Sequence, residues 1–190
     1  MSSTAVPPTK SRLIVKRGGS AITRNVPKPT VLVDTREQAP FNLARFDNWI
    51  AGERRATLET GDYSVEGMET LITLERKSLN DLAITLMHNR ERFFRQCERM
   101  TAFKYRAILV EATYEQVKSP HRPVDGVSVH PNGLTGTLDA LEAKFMIPVI
   151  YTSSYRPLAE EKAASYLSKV FTYEFLEQNG MGRVLQEGDL

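Results

Sequence analysis

Apolar patterning begins at residue 30. Val31-Leu32-Val33 is a β-branched and aliphatic run, which reads as a buried strand, and it ends in the polar cluster Asp34-Thr35-Arg36-Glu37. Residues 42–53 suggest a short helix. Residues 56–65 and 70–77 are strand-like, and Glu66-Gly67-Met68-Glu69 between them reads as a hairpin turn. Ser78 and Asp81 have capping-box spacing, with Asp in place of the usual Glu or Gln. The apolar positions that follow (Leu79, Leu82, Ala83, Leu86, Phe93, Cys97 and Met100) recur at helical intervals and predict one long helix from Ser78. Tyr105 to Glu111 is a strand whose unbroken apolar centre calls for burial on both faces. Residues 112–132 contain Pro120, Pro123, Gly126 and Pro131 and read as a loop. A helix over 134–146, a strand over 147–151 and a last helix starting at Pro157 complete the pattern. This order predicts an α/β fold, a mixed central sheet flanked by helices.

Composition changes this picture little. With 41% hydrophobic and 25% charged residues the 190-residue chain is an ordinary globular sequence, large enough for a sizeable core. The net charge of +2 does not point to a nucleic-acid partner, but its distribution is uneven. Lys10, Arg12, Lys16, Arg17, Arg24 and Lys28 precede any acidic residue, so residues 1–29 read as a basic, disordered arm able to touch phosphates. Residues 30–178 form the expected domain and 179–190 a tail. A lone cysteine, Cys97, excludes an internal disulfide, fits a reducing compartment and is read as a small core residue. His88, His121 and His130 are scattered, which excludes a structural zinc site and makes them surface or loop residues by default. No apolar run reaches the length of a membrane span, so no membrane partner is expected.

Candidate chemistry lies in Thr73-Leu74-Glu75-Arg76-Lys77. On a strand, alternate side chains share a face, so Glu75 and Lys77 point one way and Arg76 the other. Asp62, on the neighbouring hairpin strand, can approach Glu75 across the pair, and Asp34 can join from the end of the first strand. Two carboxylates beside a lysine are what metal-assisted phosphodiester hydrolysis needs. Mg²⁺ takes oxygen ligands and keeps several waters, and a lysine stabilises developing negative charge. The same spacing in isolation also fits a surface cross-strand ion pair.

The pattern extends well beyond these residues. Gly61-Asp62-Tyr63, eleven residues, Glu75-Arg76-Lys77, three residues and Asp81 together resemble the GD…ERK…D signature of the XPF family of structure-specific nucleases. Val33-Asp34-Thr35-Arg36-Glu37, Ser78-Leu79-Asn80-Asp81-Leu82, Arg92-Phe93-Phe94-Arg95-Gln96 and Ala107-Ile108-Leu109-Val110-Glu111 resemble that family's other segments, so the likeness spans about residues 30–175. The resemblance implies a restriction-endonuclease-like fold, Mg²⁺ or Mn²⁺ as cofactor, and branched or otherwise structured DNA as substrate, in repair or recombination. It implies Asp34, Asp62 and Glu75 as metal ligands and Lys77 as the catalytic lysine. Glu37, Arg36, Arg76 and Asp81 are implied as further members of the catalytic centre, and Arg92, Arg95 and Gln96 as DNA contacts. A homodimer through the nuclease domain is implied, with the last two helices as contact elements. The expected location is cytoplasmic or nucleoid-associated, or nuclear if the source is eukaryotic.

Alternatives stand beside several of these roles. Asp81 also fits a first-turn helix acid. Arg36 also fits an ion-pair partner of Glu75 or Asp62. Tyr63 fits packing as well as base stacking, and arginines on a helix surface can be merely solvated. Fuller family members carry tandem helix-hairpin-helix modules after the nuclease domain. Gly180-Met181-Gly182 resembles a fragment of one but reads as tail, so grip on DNA is expected from the nuclease face, the basic arm, a second subunit or a DNA-binding partner protein. The alternative at the level of the whole chain is a non-catalytic DNA-binding or scaffolding subunit. A restriction-type enzyme is a third reading, for which the chain shows no base-reading domain. Retention of every acidic and lysine position favours catalysis.

Overall fold

The computed structural model describes residues 14–17, 20–23, 26–118 and 130–179. Most of the basic arm, His121, much of the loop at 112–132 and the tail with Gly180-Met181-Gly182 lie outside the described residues. Within the arm, Ile14–Arg17 (β1) pairs antiparallel with Ser20–Thr23 (β2), a regular element where the sequence suggested none.

Apolar and β-branched residues build the main sheet. Thr30–Asp34 (β3), Gly52–Ala56 (β4), Tyr63–Val65 (β5) and Ile72–Ser78 (β6) lead into helices Leu79–His88 (α1) and Arg90–Met100 (α2). Strand Tyr105–Glu111 (β7), helices Tyr114–Lys118 (α3) and Pro131–Phe145 (α4), strand Val149–Tyr151 (β8) and helix Arg156–Gln178 (α5) follow. The strand order is β4-β3-β5-β6-β7-β8. β5 runs antiparallel to β3 and β6, while β3–β4, β6–β7 and β7–β8 are parallel. The mixed sheet flanked by helices and the unbroken apolar β7 are as the sequence predicts.

β7 lies inside the sheet, between β6 and β8, and both its faces are apolar. Ala107 and Leu109 pack toward α5 with Val31, Val33, Leu74, Ala163 and Leu167. Ile108 and Val110 pack on the other face against Leu82, Leu86, Phe93, Cys97, Leu138 and Leu141 from α1, α2 and α4. Each fully buried Leu or Ile contributes about 1.5–3 kcal/mol relative to exposure, so these two layers hold the sheet and leave its polar positions fixed in place. Among the described residues, no helix is long and apolar enough to cross a membrane.

Three local expectations are corrected. Residues 42–53 hold turns rather than a helix, with the Phe46 and Trp49 amides donating to the Leu43 and Phe46 carbonyls. Gly52–Ala56 is instead a parallel edge strand on β3, and its exposed Glu53, Arg54 and Arg55 are the charges that keep an edge from pairing further. The long helix from Ser78 is two helices that break at Asn89 (φ −125°, ψ 25°), a residue of modest helix propensity. The break lets the apolar faces of α1 and α2 enter the same core. Ser78 is the N-cap of α1, its hydroxyl accepting from the Asp81 amide at 3.1 Å and donating to the Asp81 carboxylate at 2.7 Å.

Candidate active site

Strand alternation separates the charged residues of β6. Glu75 and Lys77 face α1 and α2, and Arg76 faces α5 and Phe41. Tyr63 pairs with Leu74 across β5–β6, which sets Asp62 beside Glu75. The turn into β5 depends on Gly61, whose φ of +81° suits glycine; a Cβ there would also collide with Thr73 Oγ1. Asp62 is held by its own amide donating to the Leu74 carbonyl (2.9 Å) and by the Arg76 amide donating to its Oδ2 (2.7 Å).

Glu75 is almost fully buried, 2% exposed, and its two oxygens are held from opposite sides. Lys77 Nζ pairs with Oε1 at 2.7 Å, and Gln96 Nε2 donates to Oε2 at 2.5 Å. Burial of Asp62 and the adjacent Glu75 carboxylate push the Asp62 pKa up to about 8, against the pull of the Arg76 amide and Lys77. Burial would lower Lys77, but Glu75, helped by Asp62 and Asp81, holds it above its ordinary value, so it is a cation.

Asp34 is treated differently. Burial opposes its ionisation, yet hydrogen bonds from Arg36 and from the Leu58 amide keep its pKa below the usual carboxylate value. Oδ1 accepts from the Arg36 amide (2.8 Å) and Nε (2.7 Å); Oδ2 accepts from Arg36 Nη2 (2.9 Å) and the Leu58 amide (2.8 Å). The ion-pair partner of Arg36 is therefore Asp34, not the expected Glu75 or Asp62. On the far face of β6, Arg76 pairs with Glu37 (3.3 Å) and Glu111 (2.5 Å) and lies over the Phe41 ring. Glu111 also reaches Arg156 of α5 at 3.7 Å.

A cleft of about 400 Å³ opens at these strand ends. It brings together Asp34, Arg36, Glu37, Asp62, Glu75, Arg76, Lys77, Asp81, Arg92 and Gln96. Arg95 is not among the lining residues; it is exposed and lies 3.8 Å from Glu91. Gln96 is a partner of Glu75, a contact the sequence reading did not foresee. Also missed were Gln38, Glu59, Thr60 and Arg99, which line the cleft. Arg92, Gln96 and Arg99 follow i, i+4, i+7 spacing, and that period was the signal for Arg99. Tyr63 is a packing residue: it is fully buried, stacks on Phe41 at 5.6 Å and accepts the Phe41 amide at 2.8 Å. Asp81 sits in the first turn of α1, bonded to the Ser78 cap, and lines the cleft. Cys97 lies in the core, where burial pushes its thiol up to about 12. His88 ends α1, and His130 caps α4 by accepting the Asn132 amide at Nδ1.

The ERCC4 domain model matches residues 33–161, a span that contains this whole constellation. The chain belongs to the ERCC4 domain family. Two solved structures resemble it: XPF from Aeropyrum pernix, 22% identical with a TM-score of 0.57, covering 80% of this chain and 69% of that one, and XPF from Aeropyrum pernix in complex with DNA, 22% identical with a TM-score of 0.56, covering 82% and 77%. No curated protein sequence matches the chain. The structural likeness establishes the restriction-endonuclease-like α/β fold, and ERCC4 membership supports a DNA endonuclease.

The ERCC4 cleft can be tested for fit to a divalent cation by its donors. Among the described residues, no three carboxylate, imidazole or thiol groups form a preformed metal cage. Asp62 and Glu75 nevertheless offer hard oxygen donors side by side, and burial, together with the neighbouring Glu75 carboxylate, makes Asp62 resist ionisation. Two carboxylates completed by water and phosphate oxygens are the set Mg²⁺ accepts. The donor chemistry fits.

Proposed function

We propose that this ERCC4 domain is a divalent-metal-dependent endonuclease that hydrolyses phosphodiester bonds in branched or otherwise structured DNA. The observation that carries the reading is the Asp62–Glu75 carboxylate pair with Lys77 beside it, at the floor of a cleft lined by arginines. Asp62 and Glu75 would hold Mg²⁺ or Mn²⁺, which when bound lowers the pKa of water and neutralises charge on the scissile phosphate. Lys77, a fixed ammonium, offsets negative charge that grows on the phosphate oxygens and orients the attacking water. Gln96 holds the Glu75 carboxylate by donating to its Oε2. Arg36, Arg92 and Arg99 supply the phosphate contacts that position the strand.

The working unit is proposed to be a homodimer through the nuclease domain. Support comes from exposed apolar side chains at the end of α4 (Met146) and the start of α5 (Tyr155 and Leu158). Repair or recombination of branched DNA is the matching process.

The test is cleavage of a panel of flap, fork, bubble and linear duplexes by purified protein with Mg²⁺, Mn²⁺ or excess chelator. Cutting of branched substrates with metal, abolished by chelator, is expected. Cleavage that survives chelation sinks the metal mechanism. Tight binding without cutting under either metal favours a DNA-binding scaffold subunit.

A further inference from the structure

We propose that Asp34 is the positioning residue of a fixed phosphate clamp formed by Arg36, and that it stands outside the coordination shell of the cation; this rests on the cleft being the nuclease centre. An ionised carboxylate has about four acceptor sites. Asp34 fills them with four N–H donors, three from Arg36 and one from Leu58. Offering an oxygen to a cation would strip a donor from a carboxylate that is 2% exposed and would orphan a buried amide such as that of Leu58. Asp62 and Glu75 are under no such constraint: Asp62 has one amide donor, and Glu75 one lysine and one glutamine.

The four bonds also fix Arg36. Its Nε and Nη2 are committed to Asp34, and Nη2 donates again to the Leu58 carbonyl at 2.7 Å. Nη1 makes no hydrogen bond among the described residues, on a side chain that is 66% exposed and lines the cleft. A guanidinium whose plane is set before substrate arrives loses little freedom on binding a phosphate, and its two free N–H groups match a non-bridging oxygen. Asp34 therefore acts on DNA through Arg36.

The two roles for Asp34 predict opposite signs. A metal-ligand role predicts that Asp34→Asn binds DNA as tightly as the parent, or more tightly, and loses Mn²⁺. A positioning role predicts weaker DNA binding and unchanged Mn²⁺ binding. A fluorescent flap duplex titrated in chelator should show affinity falling roughly tenfold for Asp34→Asn and for Arg36→Gln, with the double variant no weaker than either single one. Arg36→Lys should restore little of it, since an ammonium lacks the fork. Mn²⁺ titration followed by electron paramagnetic resonance should be unchanged in Asp34→Asn and lost in Asp62→Asn. With metal, Asp34→Asn should raise KM far more than it lowers kcat. Loss of Mn²⁺ with DNA affinity intact in Asp34→Asn overturns the proposal. Should that variant melt early, a Mn²⁺-bound crystal structure of the parent protein decides: the ion is expected on Asp62 and Glu75, and an Asp34 oxygen in its coordination shell overturns the assignment. If the parent protein neither binds Mn²⁺ nor cuts, the nuclease reading fails, while the chelator arm still decides the clamp.

Discussion

Two corners of one cleft handle negative charge in opposite ways. At the Asp34 corner every acceptor site meets an N–H, and the carboxylate ionises more readily than usual despite its burial. At the Asp62–Glu75 corner two carboxylates share one lysine, and Asp62 resists ionisation to about pH 8. The backbone explains the contrast. Asp34 ends β3 where the Arg36 and Leu58 amides both reach its carboxylate, whereas Glu75 sits within β6 and Asp62 just before β5, where a single amide, that of Arg76, reaches the pair. A complete hydrogen-bond set makes a rigid fixture, and an incomplete one leaves oxygens for an incoming cation.

The sharpest way to break the comparison is removal of one carboxylate from the second corner. Asp62→Ala should lower the cleavage rate on the order of a thousandfold while leaving DNA binding intact, or tighter above about pH 8, where the carboxylate removed is charged. Parent-level cutting by this variant in a single-turnover assay would show the centre to be misplaced. Next in size is the support behind Glu75. Gln96→Ala should cost about 10–100-fold in Mn²⁺ affinity or rate, the usual weight of a group that orients a metal ligand. An unchanged manganese titration together with an unchanged rate would mean that Glu75 orients itself.

A smaller effect links pH to stability. The folded-state pKa of Asp62 is raised from 3.8 to about 8, so the native state holds its proton more tightly than the unfolded chain does. Its contribution is fully present below pH ~4 and is lost as pH rises toward about 8. A cation that offsets the two carboxylates removes this loss. Mn²⁺ should therefore raise the melting temperature by a few degrees more at pH 8.5 than at pH 6, and Asp62→Asn should flatten the difference. Equal shifts at both values would separate metal binding from Asp62. The smallest effect belongs to a residue outside both corners. Arg95→Ala should change DNA affinity and cleavage by less than about twofold, because an exposed pair with Glu91 contributes little; a larger loss would move the DNA path across that side of α2.

Much of this was legible in the sequence because it follows from period and spacing. The apolar run of β7, the cap at Ser78 and Asp81, and the common face of Glu75 and Lys77 need only local geometry. β4 was illegible because an edge strand with water beside it need not alternate, and Gly52–Ala56 is mostly charged. The break at Asn89 was hidden because the apolar period resumes on its far side. The fate of Asp34 was hidden because one of its partners, the Leu58 amide, is backbone brought in by a loop. Main-chain donors carry no side-chain signature, so a carboxylate saturated by them looks the same in sequence as one that is free.

Arg76 fastens the sheet from both sides. Its amide grips Asp62 in front, and its guanidinium grips Glu37 and Glu111 behind. Trimming the side chain would loosen only the rear fastening, since the amide stays with the strand. The two halves of this rivet can thus be undone one at a time, and a fault seen after trimming would belong to the partners of the guanidinium, Glu37 and Glu111, rather than to the hold on Asp62.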